Sequence, residues 1–182
     1  LVTGVLTTTA ATVFNGGFAS NAASTVDGTL STASGLVHLG DSNTSLDFGT
    51  DTQTFYTGGV RALDLSTSGA VFNEGSADAD FRVESDGNAN ALFVEGSSGN
   101  VGIGVAPSAW TYFNPIQAGR SSFAGSAGQT GVGYNWYFDG AYKYIASDYA
   151  LAYQQNATSG VHSWSTAASG TAGATATLTQ RM

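Results

Sequence analysis

Hydrophobic and polar positions along this chain follow the two-residue period of β-strands, most clearly at residues 98–105. Ser-Gly-Asn at 98–100 is a turn signal, because glycine and asparagine tolerate left-handed conformations. The residues that follow place three β-branched side chains on one side of an extended strand and two glycines on the other: Val101, Ile103 and Val105 against Gly102 and Gly104. Another backbone can approach a glycine side closely. The pattern predicts a strand, since each glycine inside a helix costs about 1 kcal/mol.

The Ser-Gly opening of this stretch occurs three times, at Ser34-Gly35, Ser68-Gly69 and Ser98-Gly99. A repeat of 30 to 34 residues is typical of a modular, elongated architecture. The alternative is chance recurrence of Ser-Gly turns in a chain with 25 glycines.

Short apolar runs separated by Gly, Asp and Asn turns fill the middle of the chain and predict regular β-structure. The predicted strands are 45–48, 54–56, 60–65, 70–72, 80–84, 91–95 and 101–105. No helical stripe of period 3.6 runs through this region. The spacing favours a β-sandwich, a barrel or a solenoid.

Aromatic residues concentrate after Pro107, where all three tryptophans and seven of the eight tyrosines lie. Asp139-Gly140 separates two alternating runs, 134–138 and 141–145, and predicts a β-hairpin. A short helix after Lys143 is an alternative, and 161–166 and 174–179 are predicted as later strands.

These shifts predict three parts. Residues 1–40 form an extended Thr/Ala/Gly-rich segment, with a strand at 12–14, turns at 15–17 and 27–28, and a short strand at 36–39. Residues 41–106 form β shaft modules, and 107–182 form a β-rich domain with an aromatic core. With neither an initiator Met nor a clear end, the chain is expected to be a segment of a longer protein.

Composition narrows the function classes. The net charge of −8 and five scattered basic residues argue against binding to nucleic acid, which needs Lys and Arg to neutralise phosphates. No apolar run is long enough for a transmembrane helix. The chain has no cysteine, so disulfides and Cys-based zinc sites are excluded. We expect no cofactor and no metal.

Candidate chemistry is sparse. Asp78, Asp80, Glu84 and Asp86 are close in sequence, and paired acids can cleave glycans or share a cation, although such acids usually only solubilise a surface. His38 and His162 stand alone, without a nucleophile motif. We predict no catalytic residue. Aromatic side chains can stack on sugar rings, and the candidates for glycan contact are Tyr137, Trp110 and Trp164.

Several segments together resemble tail fibres of bacteriophages, especially marine ones. The resemblance covers about residues 41–182 and is carried by 55–59, 72–86, 91–94, 99–104, 137–140, 143–148, 153–155 and 169–173. Residues 1–40 are similar only in general character.

The resemblance implies an all-β, elongated homotrimeric fibre, in which repeated short-strand shaft modules precede the aromatic domain. One copy alone then leaves its valines and isoleucines unshielded, and Val101, Gly102, Ile103, Gly104 and Val105 are predicted to approach the threefold axis. The implied role is a structural and adhesive fibre of a virion. The expected partners are two identical chains, other virion proteins and a host surface glycan or protein, without membrane insertion. The alternatives are a glycan-degrading tailspike using Asp78, Asp80 or Glu84, and a fibre on the head or neck. β-Prism, triple β-helix and stacked sandwiches all remain open as shaft geometries.

Overall fold

This computed structural model describes residues 31–32 and 35–182. In this part of the chain there are sixteen β-strands, joined by turns and loops, and no helix. The all-β prediction is confirmed for this part of the chain. The described strands lie in one unit, Ser34–Met182. The strand predicted at 12–14 and the turns predicted at 15–17 and 27–28 fall outside the described residues.

The first sheet has five antiparallel strands joined in chain order. Positive φ angles at Asp51, Gly58 and Gly59 allow the tight turns between its strands. The strands are β1 (Gly35–His38), β2 (Asp41–Gly49), β3 (Thr52–Thr57), β4 (Val60–Ser66) and β5 (Gly69–Phe72).

The second sheet has nine strands in the order β16-β15-β14-β11-β10-β9-β8-β7-β6. Its strands are β6 (Phe81–Ser85), β7 (Asn88–Val94), β8 (Val101–Ile103), β9 (Asn114–Ala118), β10 (Ser121–Gly125), β11 (Gln129–Tyr134), β14 (Asp148–Asn156), β15 (Val161–Gly170) and β16 (Thr179–Gln180). Strands β8 and β9 pair in parallel, and the other neighbours are antiparallel. This parallel pair crosses position 107, so one sheet continues through the boundary that we predicted there.

A third, two-stranded sheet is the hairpin that Asp139-Gly140 predicted. Strands β12 (Trp136–Phe138) and β13 (Tyr142–Tyr144) pair antiparallel, and Gly140 takes φ 104° in the turn. The alternative of a short helix after Lys143 is excluded, because the chain continues through β13 into the long strand β14.

Large aromatic rings packed on a floor of very small residues form the core. Trp136 is fully buried, and Trp110 and Tyr142 meet its ring at centroid distances of 5.2 and 5.3 Å. The floor is one face of the nine-stranded sheet, where the buried side chains include Ala124, Ala150, Ala152, Ser165 and Ala167. We call this the covered face. Because the side chains of this face are small, they leave room above the sheet for the indole and phenol rings.

Some predicted strand bounds differ from those in the structure. Strand β8 ends at Ile103, because Gly104 turns at φ 74°. Of the strand predicted at 174–179, Thr179–Gln180 joins a sheet and Thr175 makes an isolated bridge to Lys143. The glycines of the first two Ser-Gly openings, Gly35 and Gly69, begin β1 and β5, the outer strands of one sheet, whereas Ser98-Gly99 precedes β8, an inner strand of the other.

Candidate functional site

The face of the nine-stranded sheet opposite the aromatic core carries a row of apolar side chains in direct cross-strand register. Each member is the register partner of the next, so the row crosses eight strands, which is about 34 Å at about 4.8 Å between strands. We call it the first row, and it runs Phe81, Val94, Val101, Ile116, Phe123, Val132, Tyr153, Trp164.

A second row runs parallel to the first, at a distance of two residues on each strand. It consists of Val83, Leu92, Ile103, Ala118, Ser121, Tyr134, Leu151, Thr166 and Thr179. Neither row contains a charged side chain. The two rows together define what we call the open face.

The open face is exposed in a way that the covered face is not. Ile116, Phe123, Val132 and Trp164 keep 51, 55, 51 and 52% of their surface in contact with solvent. Residues next to them on the covered face, such as Ala124, have none. Monomeric proteins rarely expose apolar patches of more than a few hundred Å², so the open face is the candidate interaction surface among the described residues.

Strand β8 contributes its β-branched side, not its glycine side, to the open face. Val101 and Ile103 belong to the two rows. On the other side, a Cβ added to Gly102 would lie 2.0 Å from the Val105 carbonyl oxygen and 3.1 Å from Pro107. The protein's own chain therefore already occupies the glycine side. The prediction that another backbone approaches the glycine side is corrected for Gly102 alone. Gly104 and Val105 lie beyond the strand, and the atom nearest to a Cβ added at Gly104 is Asn88 Nδ2 at 3.7 Å.

Two of the three candidates for glycan contact belong to the aromatic layer. Trp110 is 5% exposed, and its indole N–H donates to Oε1 of the buried Gln117 at 3.0 Å. Because Trp110 is buried in the core, its ring is not available for the glycan contact that the sequence predicted. Tyr137 is half-buried, with its ring 6.4 Å from that of Trp110.

Trp164, the third candidate, lies on the open face and has aromatic and polar neighbours. Its ring is 4.5 Å from that of Tyr153. The Tyr153 hydroxyl lies 2.5 Å from Nδ1 of His162, so this histidine bonds within the sheet. A shallow, mostly apolar depression of about 490 Å³ is lined there by Val132, Leu151 and Met182 among others, with Arg181 at its edge.

The acidic residues near the start of β6 make local structural bonds. Asp80 accepts a hydrogen bond from the Gly96 backbone N–H at 3.0 Å, and Glu84 pairs with Arg82 at 2.9 Å between exposed side chains. Asp78 and Asp80 precede β6, so they do not lie together on one face of a strand. Within residues 31–32 and 35–182, no three His, Cys, Asp or Glu side chains are grouped as a metal site would require.

The sequence analysis missed the two rows as a unit. Their members come from eight or more strands, and a local pattern does not state which strands are neighbours. Alternation within β9, β10 and β11 was the available signal.

Comparison with family models, with curated proteins and with solved structures finds no match for this chain. The described residues also contain no helix of the length and apolarity needed to span a membrane.

Proposed function

We propose that this chain is part of a homotrimeric fibre on a phage virion, which extends from the particle and contacts the host cell surface. The proposal gives it a structural and adhesive role without an active site. The sequence resemblance to phage tail fibres suggests the class of protein. The observation that carries the proposal is the open face, an apolar strip of about 34 Å whose central side chains Ile116, Phe123 and Val132 are half-exposed, while its first-row members at β6, β7 and β8 are partly buried.

The proposed occupants of the open face are the two other copies of this chain. Neither row carries a charged side chain, so the open face suits another apolar surface. Arg181 borders this face, and its Nε donates to Oγ1 of Thr166 at 2.9 Å. The acidic residues that give the chain its net charge of −8 lie outside both rows, so like charges need not meet when open faces pack together. Identical copies supply such a surface, and closed symmetric assemblies are the usual form of homo-oligomers.

Native mass tests the proposal directly. Light scattering on the purified chain is expected to give three times 18.4 kDa, and the assembly is expected to survive mild SDS without heating. A monomeric mass at all concentrations would exclude the trimer.

Substitution on the open face tests which surface assembles. Phe123→Lys puts a charge at the centre of the first row, and we expect it to yield monomers, because burying an unpaired ammonium group is costly. Tyr112→Lys is the matched control, since Tyr112 is similarly exposed at 52% but packs on Phe113 in the layer over the covered face. Val132→Thr keeps the shape of the side chain and serves if the lysine variant does not fold. Trimers of normal stability from both open-face variants would show that this face is not the interface.

Electron microscopy of the parent particle decorated with an antibody to this chain tests its location. Labelling at the tail supports a tail fibre, whereas labelling at the head or neck supports the alternative fibre site. An unlabelled virion would overturn the proposal.

A further inference from the structure

A cleft lined by amides lies at the end of the covered face, beyond the last ring of the aromatic layer. Its floor is formed by neighbouring register positions of three strands, with Gln129 on β11, Gln154 on β14 and Ser163 on β15. Tyr142 stands at one side and the exposed Gln180 at another. We call this space, of about 300 Å³, the amide cleft.

The amide cleft is held in shape by its own hydrogen bonds. The Gln154 amide donates to the Tyr142 hydroxyl at 2.7 Å, and this joins the floor to the aromatic layer. The Ser159 backbone N–H donates to Oδ1 of Asn156 at 3.0 Å and shapes the adjoining turn. The Ala157 N–H donates to the Gly128 carbonyl at 2.9 Å, which ties the tips of two hairpins together. A ligand would therefore meet side chains that are already positioned.

Hydrogen-bonding capacity remains unused in the amide cleft. Among the hydrogen bonds of residues 31–32 and 35–182, none involves the side-chain amides of Gln129 or Gln180. Each amide offers two donor hydrogens and a carbonyl acceptor, and each hydroxyl both donates and accepts. Vicinal sugar hydroxyls present the same alternation of donor and acceptor.

No Asp, Glu, Lys or Arg of the described part of the chain lines the amide cleft. Such a lining offers nothing to neutralise a phosphate, a carboxylate or an ammonium group. The volume is near the lower end of the range of about 300–1,000 Å³ that is usual for small-molecule sites, which fits one or two sugar units. The phenol ring of Tyr142 adds an apolar surface beside the amides.

We propose that the amide cleft binds a neutral carbohydrate. The inference deepens the adhesive part of the proposed function and rests on it, because it gives the host contact a site and a chemical class. Its position is compatible with assembly, since Gln129 and Gln154 share the covered face with Gly131 whereas the trimer would use the open face. The site therefore stays accessible in the assembled fibre.

The test is binding of the purified full chain to a printed array of neutral oligosaccharides, with sialylated and phosphorylated oligosaccharides on the same array. We expect binding to one or more neutral members and none to the anionic ones. The best neutral binder is then titrated against two variants. Gln129→Ala removes an amide that bonds to no described protein group, and Tyr142→Phe removes only the hydroxyl, so each should fold and weaken binding at least tenfold.

Gln155→Ala is the matched control. It also removes a glutamine amide, but Gln155 follows Gln154 on β14 and therefore lies on the opposite face of the sheet, away from the amide cleft. It should leave the affinity unchanged. The absence of binding to any neutral member, a preference for anionic members, or equal loss in the control would overturn the inference. Native mass measured on the same samples separates the two proposals. A trimer without carbohydrate binding rejects the amide cleft alone, whereas a monomer rejects the fibre.

Discussion

One buried asparagine holds the corner between the hairpin β12–β13 and strand β14. Asn135 is fully buried, with φ 62°, a left-handed conformation that asparagine tolerates better than most residues. Its side-chain nitrogen donates to the carbonyls of Ala146 and Tyr149 at 2.9 and 3.0 Å, and its oxygen accepts from the Ala146 N–H at 2.7 Å. The side chain thus substitutes for a strand partner where the chain changes direction.

Asn135→Ala is expected to destabilise the protein by about 3 kcal/mol or more, because it leaves buried backbone groups without hydrogen-bond partners and forces alanine to positive φ. Asn135→Gly removes the same hydrogen bonds but relieves the backbone, so it should recover about 1 kcal/mol of that loss. Thermal unfolding followed by circular dichroism should give midpoints that decrease in the order wild type, glycine variant, alanine variant. Equal stability of all three proteins would contradict this role.

The glycines under the aromatic rings set the depth of the core. A Cβ added at Gly133 would lie 1.7 Å from Nε1 of Trp136, and one at Gly170 would lie 2.2 Å from the Tyr144 ring. Both rings are buried, so neither moves aside without breaking other contacts.

Gly133→Ala is therefore expected to cost about 1–3 kcal/mol or more through displacement of Trp136, and to lower the midpoint of thermal unfolding by several degrees. Gly87→Ala is the control, since a Cβ there meets nothing within 4 Å. Near-ultraviolet circular dichroism should report a changed tryptophan environment in the first variant alone. An unchanged spectrum and midpoint for Gly133→Ala would contradict the proposed contact.

At the scale of the element, strand β8 offers a way to test protomer stability separately from the proposed assembly. Gly102 faces the segment that contains Val105 and Pro107, whereas Ile103 lies in the second row and is 44% exposed. The two neighbouring residues thus serve opposite sides of one strand.

Gly102→Ala should destabilise the fold, because its Cβ would overlap the Val105 carbonyl oxygen. Ile103→Thr keeps a β-branched side chain and should leave the fold intact while weakening the trimer. Thermal unfolding and native mass, measured on both variants, distinguish the effects. The reverse result, in which Gly102→Ala folds normally but fails to assemble, would restore the original prediction of a glycine side at the threefold axis.

The sequence predicted elements well where the signal is local. Asp139-Gly140 sufficed for the hairpin because the turn alone demands a residue at positive φ. The segment 174–179 was predicted as a strand, but Ala174 and Ala176 donate their backbone N–H groups to Thr171 and Tyr142 instead. That choice depends on a hairpin more than 30 residues away, which no local pattern contains.

At the scale of the whole molecule, what the sequence could not supply is the register between distant strands. The first row depends on the parallel pairing of β8 with β9, which sets Val101 beside Ile116. It depends equally on the pairing of β11 with β14 around the intervening hairpin. The sequence did indicate that small residues abound and that the aromatic residues follow Pro107. It did not indicate that the small residues form the floor beneath the aromatic rings. Because the rings cover that face of the sheet, its other face remains open.

The chemistry of the open face predicts how assembly responds to salt. Screening weakens interactions between charges, since the Debye length falls from about 10 Å at 0.1 M to about 3 Å at 1 M ionic strength. The two rows contain no charge to screen, while each chain carries a net charge of −8 that repels its copies at low salt. The proposed trimer should therefore persist at about 1 M sodium chloride, and the chain concentration at which it dissociates should be no higher than at about 0.1 M. Sulfate, which strengthens apolar burial, should stabilise it further.

Native mass across a dilution series at each salt concentration measures this response. Phe123→Lys should stay monomeric at every sodium chloride concentration, because the substitution places an ammonium group in an apolar contact. Dissociation of the wild-type trimer by sodium chloride would mean that ion pairs hold the copies together. Assembly would then have to depend on charged residues outside the two rows, and the open face would lose its place as the interface.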